Sequence, residues 1–200
     1  MPRPTPEHAA AERVRAALQT VPRRRFLPAD QQQFADEDQP LPIGFGATNS
    51  QPWTVAFMLR HLDPLPGDRV LDVGSGSGWT TALLAELVGE TGSVVGVDII
   101  PDLVARGRAN LGALYPWVHI ERTIPEVLGW PPAAPYQRIL VSADGGAIPP
   151  ALCEQLAPAG RMVIPAADKI WIVERDAAGE LHHHPTAGGF SFVPLHWSSD

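Results

Sequence analysis

The chain has 200 residues, of which 44% are hydrophobic and 18% are charged, so we expect one globular domain and exclude a disordered chain. Its formal net charge of −7 argues against a broad nucleic-acid surface, because nonspecific affinity for phosphates comes from Lys and Arg. The single cysteine, Cys153, excludes an internal disulfide, and no apolar run is long enough to cross a membrane, so we expect a cytoplasmic protein without nucleic-acid or membrane partners.

The first fifty residues are predicted to form a helical and irregular segment ahead of the main sheet. Residues 7–19 carry apolar side chains at helical spacing, which predicts a helix. Residues 29–42 are polar, acidic and flanked by prolines, which favours an irregular surface segment. A second helix is predicted over residues 51–62, because Pro52 suits a first helical turn.

From residue 69 onward, apolar strands alternate with helices. The predicted strands cover residues 69–73, 93–99, 117–122, 136–143, 161–166 and 169–176, and the predicted helices cover residues 79–88, 101–114 and 149–156. Such alternation implies right-handed crossovers and a mostly parallel sheet with helices on both faces. We therefore predict a doubly wound, Rossmann-like α/β fold of the seven-stranded type. A single domain would cover residues 1–200, with its core in residues 51–200.

The most informative segment is the glycine-rich loop after the first of these strands, D-V-G-S-G-S-G over residues 72–78. Glycines let a backbone approach a nucleotide, and the helix that follows offers free N–H groups. The spacing G-x-G-x-G is one residue shorter than the dinucleotide fingerprint, and Asp72 stands two residues before the first glycine. A carboxylate there would repel a pyrophosphate but attract the sulfonium and ammonium groups of S-adenosylmethionine, directly or through water.

A second acid, Asp98, ends the next predicted strand. There it can accept hydrogen bonds from both hydroxyls of an adenosine ribose. A structural role stays open for both acids, since Asp72 could cap the loop and Asp98 could cap a helix starting at Pro101. The order strand, loop, helix, strand and acid favours the cofactor interpretation, and the glycine spacing together with Asp72 disfavours an NAD enzyme.

Motifs on both sides of this loop resemble those of the protein-L-isoaspartate O-methyltransferase family. The segment L-P-I-G-F-G-A-T-N-S-Q-P (41–52) resembles the family pattern L-P-I-G-x-G-Q-T-x-S-Q-P. Further matches are V-P-R-x-x-F-x-P (21–28), A-P-Y (134–136), I-P-x-x-L (148–152), G-R-x-V-I-P (160–165) and F-V-P-L (192–195). The resemblance extends in order over roughly residues 12–195, and it implies the fold of a class I methyltransferase.

The resemblance implies an S-adenosylmethionine-dependent enzyme that methylates the free carboxyl of L-isoaspartyl residues in damaged proteins or peptides. By position, Ser50 matches the family's active-site serine. The cofactor would be bound by the motif segment, the glycine loop and the ribose-binding acid: Ala47, Thr48, Asn49, Asp72, Gly74, Ser75, Gly76 and Asp98. The F-V-P-L segment would frame the peptide, with His196 just beyond it. We expect a monomer that needs no metal.

This chemistry requires little from general bases. A carboxylate with a pKa near 4 is already ionised at neutral pH and can attack a methyl group unaided. In-line placement in a site shielded from water is what the protein must supply. The hydroxyl of Ser50 can orient the acceptor, although its spacing fits equally well a helix N-cap ahead of Pro52.

The chain departs from the family pattern at several positions. The family usually has Gln at the position of Ala47 and an aliphatic residue at that of Asn49. Its G-D-G-x-x-G segment, whose Asp helps to bind adenine, aligns with residues 124–129, where either Glu126 substitutes or backbone groups read the adenine. Its A-P-Y-D becomes A-P-Y-Q at Gln137. After the fourth strand, Asp144 replaces small apolar residues and is expected to face the pocket.

Other candidate residues favour structural roles. The three adjacent histidines, His182 to His184, are predicted to form a surface turn before Pro185, because neighbouring side chains point in different directions and do not chelate one metal. Cys153 is predicted to lie in the core. Trp53 and Trp79 flank the predicted pocket and could wall it or pack in the core.

Two alternatives to isoaspartyl methylation remain at this point. One keeps the cofactor but changes the acceptor to a dedicated peptide or a small molecule, with Asp144 as base or metal ligand. The other is a catalytically degenerate member that binds nucleosides or protein partners, suggested by the missing G-D-G segment.

Overall fold

The computed structural model describes residues 5–123 and 126–196. Its α-helices are α1 (Pro6–Thr20), α2 (Pro52–Leu62), α3 (Trp79–Val88), α4 (Pro101–Leu111) and α5 (Pro150–Glu154). Its strands are β1 (Leu41–Gly44), β2 (Ala47–Asn49), β3 (Arg69–Val73), β4 (Ser93–Asp98), β5 (Val118–Arg122), β6 (Tyr136–Val141), β7 (Leu156–Ala166), β8 (Lys169–Arg175) and β9 (Leu181–Pro185). Short 3-10 helices cover Arg23–Phe26, Gln32–Phe34 and Pro131–Ala133.

A seven-stranded sheet forms the centre of the molecule, in the order β5-β4-β3-β6-β7-β8-β9. The first five strands of this order run parallel, and β8 and β9 are antiparallel to their neighbours. The predicted doubly wound, mostly parallel α/β fold is therefore confirmed. The chain runs outward from β3 to β4 and β5, then returns to pair β6 on the other side of β3, which makes the β3/β6 boundary the switch point where α/β proteins bind ligands.

Alternating side chains of the central strands feed two separate cores. Val70, Leu140 and Val163 face a cluster that α1 to α4 complete. The neighbouring Leu71 and Ile139 face the opposite cluster, which is covered by α5 and by Trp130. Central strands buried on both faces explain why these segments read as continuously apolar in the sequence.

The flanking helices begin and end where local chemistry requires it. The side chain of Thr5 accepts a hydrogen bond from the backbone N–H of His8 and so caps α1. Pro52 occupies the first turn of α2, and Asp63 ends that helix in a left-handed conformation with φ of +50°. The two helices pack through buried side chains such as Val14 and Leu59.

Three segments differ from the sequence-based prediction. Residues 41–49 form an antiparallel hairpin, β1–β2, which turns through Phe45 and two glycines with positive φ. Residues 182–184 form the exposed edge strand β9 and not a turn, because the carboxylate of Asp176 accepts from the N–H groups of Ala178 and Glu180 and closes a hairpin with β8. The last predicted helix is shorter, since β7 already begins at Leu156.

Candidate functional site

A cavity of about 240 Å³ opens at the carboxyl ends of β3, β4 and β6. Three stretches supply its walls: the β1–β2 hairpin, the loops that follow the three strands, and the C-terminal segment. The lining residues include Phe45, Ala47, Thr48, Gly74, Gly76, Asp98, Ile100, Leu103, Val127, Ser142, Val193, Leu195 and His196. The lining is mainly apolar with a few convergent polar groups, as in small-molecule sites.

The glycine loop needs its glycines for conformation and for close packing. Gly74, Gly76 and Gly78 all have positive φ, between +53° and +90°, in the region that side chains rarely adopt. A Cβ on Gly76 would also stand 3.1 Å from the Cδ1 of Ile43 in the hairpin. The loop can therefore lie directly beneath β1 with its backbone exposed to a ligand.

Asp98 fixes the loop and also lines the cavity. One carboxylate oxygen accepts from the backbone N–H of Gly76 at 2.9 Å, and the other accepts from that of Ile100 at 2.9 Å. Burial raises the pKa of Asp98, although the backbone hydrogen bonds oppose this rise. Each oxygen has a second lone pair, so the carboxylate can also accept from hydroxyl groups of a ligand. The N-cap of α4 is Ile100, without a side-chain cap hydrogen bond, so Asp98 is not the helix cap that the sequence allowed, and its role in binding a ribose stays a prediction.

Asp72 lies beneath the loop and has no exposed surface. Its carboxylate accepts from the hydroxyls of Thr80 at 2.7 Å and Thr81 at 2.6 Å, and from that of Ser142 at 3.5 Å. Burial raises its pKa to about 6, against the lowering effect of these hydrogen bonds and with a smaller contribution from Asp98. Asp72 is not among the residues that line the cavity. Its carboxylate can therefore attract a cation in the cavity through the Ser142 hydroxyl or by long-range electrostatics, but it does not contact such a cation directly.

A second cleft, of about 260 Å³, contains Ser50. It is lined by Pro40, Thr48, Ser50, Gln51, Thr54, Ser142, Ser191, Phe192 and Val193. The N-cap of α2 is Gln51, so the hydroxyl of Ser50 does not serve as the helix cap that its spacing allowed. Ser50 therefore lies on the wall of a polar cleft with its hydroxyl available for another group.

Thr48 and Ser142 mark the junction of these spaces. Both residues line the 240 Å³ cavity, the Ser50 cleft and a small polar pocket of about 30 Å³ between them. Thr48 belongs to β2, and Ser142 follows β6 at the switch point, with its backbone N–H bound to the carbonyl of Val73. Ser142 was not among the site residues predicted from the sequence, although Asp144, two residues later, was expected to face the pocket; the place of Ser142 at the end of a central strand was the signal that could have identified it.

Arg23 is a buried cation that organises the hairpin, and sequence reasoning gave it no role beyond its motif. Its guanidinium donates to the Oδ1 of Asn49 at 2.8 Å and to the backbone carbonyls of Asn49 and Ser50 at 3.0 and 3.1 Å. It also donates to the carbonyls of Glu37 and Gln39 at 3.0 and 2.8 Å. Desolvation by burial lowers the pKa of Arg23, which is only 6% exposed. One side chain thus ties the irregular segment to the end of β2.

Asp144 does not face the cavity, contrary to the expectation from its place after β6. Its side chain accepts from the N–H of Gly146 at 2.8 Å. Its backbone holds the C-terminal segment, because its N–H donates to the carbonyl of Val193 and its carbonyl accepts from the N–H of Leu195, both at 2.8 Å. Through these bonds Asp144 anchors the C-terminal segment, in which Pro194 and its neighbours form one wall of the cavity.

The remaining predicted site residues fall into two groups. Ala47, Thr48, Gly74, Gly76 and Asp98 line the main cavity. Asn49 and Ser75 line the small polar pocket, where Asn49 is tied to Arg23 and the buried hydroxyl of Ser75 has no hydrogen-bond partner among the described residues.

The segment expected to bind adenine is described only in part. Glu126 is exposed and is not a lining residue, whereas Ile124 and Pro125 lie outside the described residues.

The other residues singled out from the sequence lie elsewhere. Cys153 is buried in the core, as predicted. Trp79 is buried and donates from its indole to the carbonyl of Val21, whereas Trp53 is half exposed.

One group of three side chains of the types that bind metals occurs among residues 5–123 and 126–196. It consists of Asp176, Glu180 and His182 at the β8–β9 hairpin, several strands away from the cavity. Within the same ranges no helix combines the length and the apolar character that a membrane crossing requires.

The sequence comparisons all point to one family of enzymes. The model of the family described as Protein-L-isoaspartate(D-aspartate) O-methyltransferase (PCMT) matches residues 6–199. The protein-L-isoaspartate O-methyltransferase of Methanopyrus kandleri is 44% identical over 194 residues, covering 92% of this chain and 84% of that protein. The protein of the same name from Anaeromyxobacter dehalogenans strain 2CP-1 is 49% identical over 192 residues, covering 92% and 88%.

Solved structures agree on the fold. A Plasmodium falciparum protein solved in complex with S-adenosyl-L-homocysteine superposes with a TM-score of 0.82 at 23% identity, covering 94% of this chain and 91% of that one. A structure named protein-L-isoaspartate O-methyltransferase gives a TM-score of 0.83 at 23% identity, covering 93% and 62%. At this level of identity the likeness establishes the fold alone.

Proposed function

Because the chain belongs to the protein-L-isoaspartate(D-aspartate) O-methyltransferase family, we propose that it transfers a methyl group from S-adenosylmethionine to the side-chain carboxyl of L-isoaspartyl residues in proteins and peptides. We propose further that the single unit of residues 1–200 acts as a cytoplasmic monomer, without nucleic-acid or membrane partners. The cavity at the switch point is the proposed cofactor site, and the cleft with Ser50 is the proposed acceptor site.

The observation that carries the proposal is the shared wall between these two spaces. Thr48 and Ser142 line both, so a group bound in the cavity and a group bound in the cleft would meet beside the same two hydroxyls. Methyl transfer requires this arrangement, because the acceptor oxygen must approach the methyl carbon in line with the bond that breaks. A binding protein without catalysis would have no need for the second compartment.

The residues present fit S-adenosylmethionine. Asp98 lines the cavity with free lone pairs for ribose hydroxyls. Ser75 lines the small polar pocket beside Gly74 and Gly76, and its buried hydroxyl has no hydrogen-bond partner in the described part of the chain, which suits the polar end of the methionine moiety. Beneath it, the Asp72 carboxylate supplies negative charge toward a cation. When bound, the cofactor supplies an electrophilic methyl group on a positively charged sulfur.

The chain's own residues would position the acceptor and would not deprotonate it. The isoaspartyl carboxylate is ionised at neutral pH, so the site needs no general base. Ser50 would donate one hydrogen bond to the carboxylate oxygen that does not react, and Thr48 is placed to donate another. Ser142 links this wall to the Asp72 carboxylate below it. Asp144 binds Gly146 and lines neither space, so its carboxylate does not contact a bound acceptor.

The proposal is tested by methyl incorporation into peptides. Purified protein, freed of bound cofactor, is incubated with labelled S-adenosylmethionine and with a matched pair of peptides that contain isoaspartate or aspartate at one position. We expect methylation of the isoaspartyl peptide alone. Ser50→Ala should lower kcat/KM about 10- to 100-fold, the equivalent of one lost orienting hydrogen bond to a charged group.

A serine-to-alanine substitution far from the site is the control. Ser93 is the first residue of β4, at the end of the strand opposite to the cavity, so Ser93→Ala should leave kcat/KM unchanged. Cofactor affinity, measured by calorimetry, should be the same in the wild type and in Ser50→Ala. Tight cofactor binding without methylation of any isoaspartyl peptide would contradict the proposed acceptor, and a fully active Ser50→Ala variant would contradict the proposed role of Ser50.

A further inference from the structure

A row of aromatic rings lies on α2, directly after the Ser50 cleft. Trp53, Phe57 and His61 are spaced four residues apart and so share one face of the helix. The rings of Trp53 and Phe57 stack with centroids 5.3 Å apart, and the ring of His61 meets Phe57 edge-on at 4.5 Å. Phe190 of the C-terminal segment packs across them, 6.3 Å from Trp53 and 5.4 Å from Phe57. These four residues are called the aromatic stripe below.

The stripe is open to solvent at the end nearest Ser50. Trp53 is 50% exposed, whereas Trp79, the next tryptophan in the chain, is 3% exposed. The backbone N–H of Trp53 donates to the Asp38 carboxylate at 2.8 Å, which fixes the first turn of the helix and therefore the position of the indole. Trp53 is the exposed member of the stripe, and Phe57 and Phe190 beside it are half-buried against the core, so the stripe offers a partner an indole backed by packed aromatic rings.

The stripe is continuous with the proposed acceptor cleft. Gln51 and Thr54, on either side of Trp53, line that cleft, and so do Ser191 and Phe192, which follow Phe190. At the other end, Phe57 and His61 line a separate, larger cleft of about 820 Å³. The stripe therefore connects the space around Ser50 with a second open space on the same side of the molecule.

The dimensions fit an extended polypeptide. Eight residues separate Trp53 from His61, which corresponds to about 12 Å along a helix that rises 1.5 Å per residue. An extended chain advances about 3.3 Å per residue, so the stripe matches about four residues of a bound segment. Burial, and then the neighbouring Arg60 and Arg161, lower the pKa of His61, against a weaker opposite effect of Glu7, which favours the neutral form of its ring.

We propose that the aromatic stripe binds the polypeptide segment that flanks the isoaspartyl residue, as an extended chain whose apolar or aromatic side chains pack on Trp53 and Phe57. This inference rests on the proposed function, because it takes the Ser50 cleft as the place of the isoaspartyl side chain. A protein substrate would thus be recognised over several residues and not only at its modified carboxyl. Trp53 would determine specificity for the flanking sequence.

The experiment compares short and extended peptides. A blocked isoaspartyl tripeptide is compared with the same peptide extended by four residues that include Phe and Leu, on its N-terminal or its C-terminal side. In the wild type we expect one extension to raise kcat/KM about tenfold or more, mainly through a lower KM. In Trp53→Ala this ratio of extended to short peptide should fall to near one, and Trp53→Phe should retain most of it.

The control is Leu114→Ala, which removes a side chain that is 55% exposed beyond the end of α4 and should leave the ratio at the wild-type value. The inference is overturned if neither extension raises kcat/KM, or if the gain persists in Trp53→Ala. Methylation of the tripeptide in those cases would leave the proposed function intact. Failure to methylate any isoaspartyl peptide would overturn the proposed function and this inference with it.

Discussion

The Asp72 carboxylate is enclosed by protein on all sides, yet it bonds only to neutral hydroxyl groups. Thr80, Thr81 and Ser142 supply these hydroxyls, and no cation pairs with Asp72 among the described residues. Desolvation therefore dominates and raises its pKa from 3.8 to about 6. The folded protein binds the proton more tightly than the unfolded chain, which sets the sign of the pH dependence.

The contribution of Asp72 to the free energy of unfolding should be fully present below about pH 4 and should be lost as the pH rises through about 6. A shift of this size corresponds to on the order of 3 kcal/mol. Asp72→Asn cannot titrate, so its free energy of unfolding should fall less than that of the wild type between pH 4 and pH 7. Urea unfolding at four pH values measures the difference.

Asp30→Asn, which removes an exposed acid, is the matched control and should follow the wild-type curve. Parallel curves for the wild type and Asp72→Asn would show that the carboxylate is not perturbed in the folded protein. A cationic ligand bound above the loop would favour the ionised carboxylate, so S-adenosylmethionine should stabilise the wild type more at pH 7 than at pH 5.

At the scale of elements, the β1–β2 hairpin buries Leu41 and Ile43 in a small apolar cluster, and Arg23 anchors the end of its second strand. The guanidinium connects the 3-10 helix of residues 23–26 with carbonyls of residues 37, 39, 49 and 50. Its face also lies over the ring of Trp79, 5.5 Å from the centroid. The hairpin contributes Thr48 to the junction of the two spaces, so Arg23 is a positioning residue for the proposed site.

Arg23→Lys keeps the charge but loses the planar fork that reaches several acceptors at once. Buried carbonyls left without donors should lower the free energy of unfolding by about 2–3 kcal/mol. kcat for the isoaspartyl peptide should fall because the backbone of Ser50 loses its anchor, while KM for the peptide changes less. Chemical denaturation and steady-state kinetics measure both effects.

Arg24→Lys, at the exposed neighbouring position, provides the comparison and should change neither quantity. Wild-type stability in Arg23→Lys would mean that one ammonium group satisfies the carbonyls as well as the guanidinium does. Stability lost without any change in kcat would confine Arg23 to a structural role.

At the scale of the whole molecule, the site is closed by a segment that belongs to no sheet. Residues 191–196 wall both the cavity and the Ser50 cleft, and they are held by two backbone hydrogen bonds to Asp144. The seven strands and the fully buried core side chains precede this segment, although Phe192 and Leu195 pack against the edges of the two cores. We therefore expect that removing the segment affects binding more than folding.

A chain that ends at Phe190 should retain the far-UV circular dichroism of the full chain but bind S-adenosylmethionine at least tenfold more weakly. The reason is that Val193, Pro194 and Leu195 would no longer cover the apolar side of the cavity. Calorimetry on both chains measures the affinity. Unchanged affinity in the shortened chain would show that the cavity wall contributes nothing to cofactor binding, and a lost spectrum would show that the segment is needed for folding.

Local sequence patterns determined the parallel sheet and the centre of the site. Continuous apolar strands, helix-starting prolines and the D-x-G-x-G-x-G loop act over a few residues, so they can be read without the fold. They located the cavity-lining Gly74, Gly76 and Asp98, and the family motifs located Thr48 and Ser50.

The tertiary structure alone decided which polar groups reach the cavity. Asp72 was expected to act on the cofactor directly or through water and Asp144 to face the pocket, but Thr80 and Thr81 of α3 enclose the first and Gly146 binds the second. The three histidines of β9 lie in a strand because their backbone pairs with that of β8 at the edge of the sheet. These partners lie only two to nine residues away for Asp144 and Asp72, but which of them a side chain meets depends on the path of the folded loops, and the residue types alone do not specify that path.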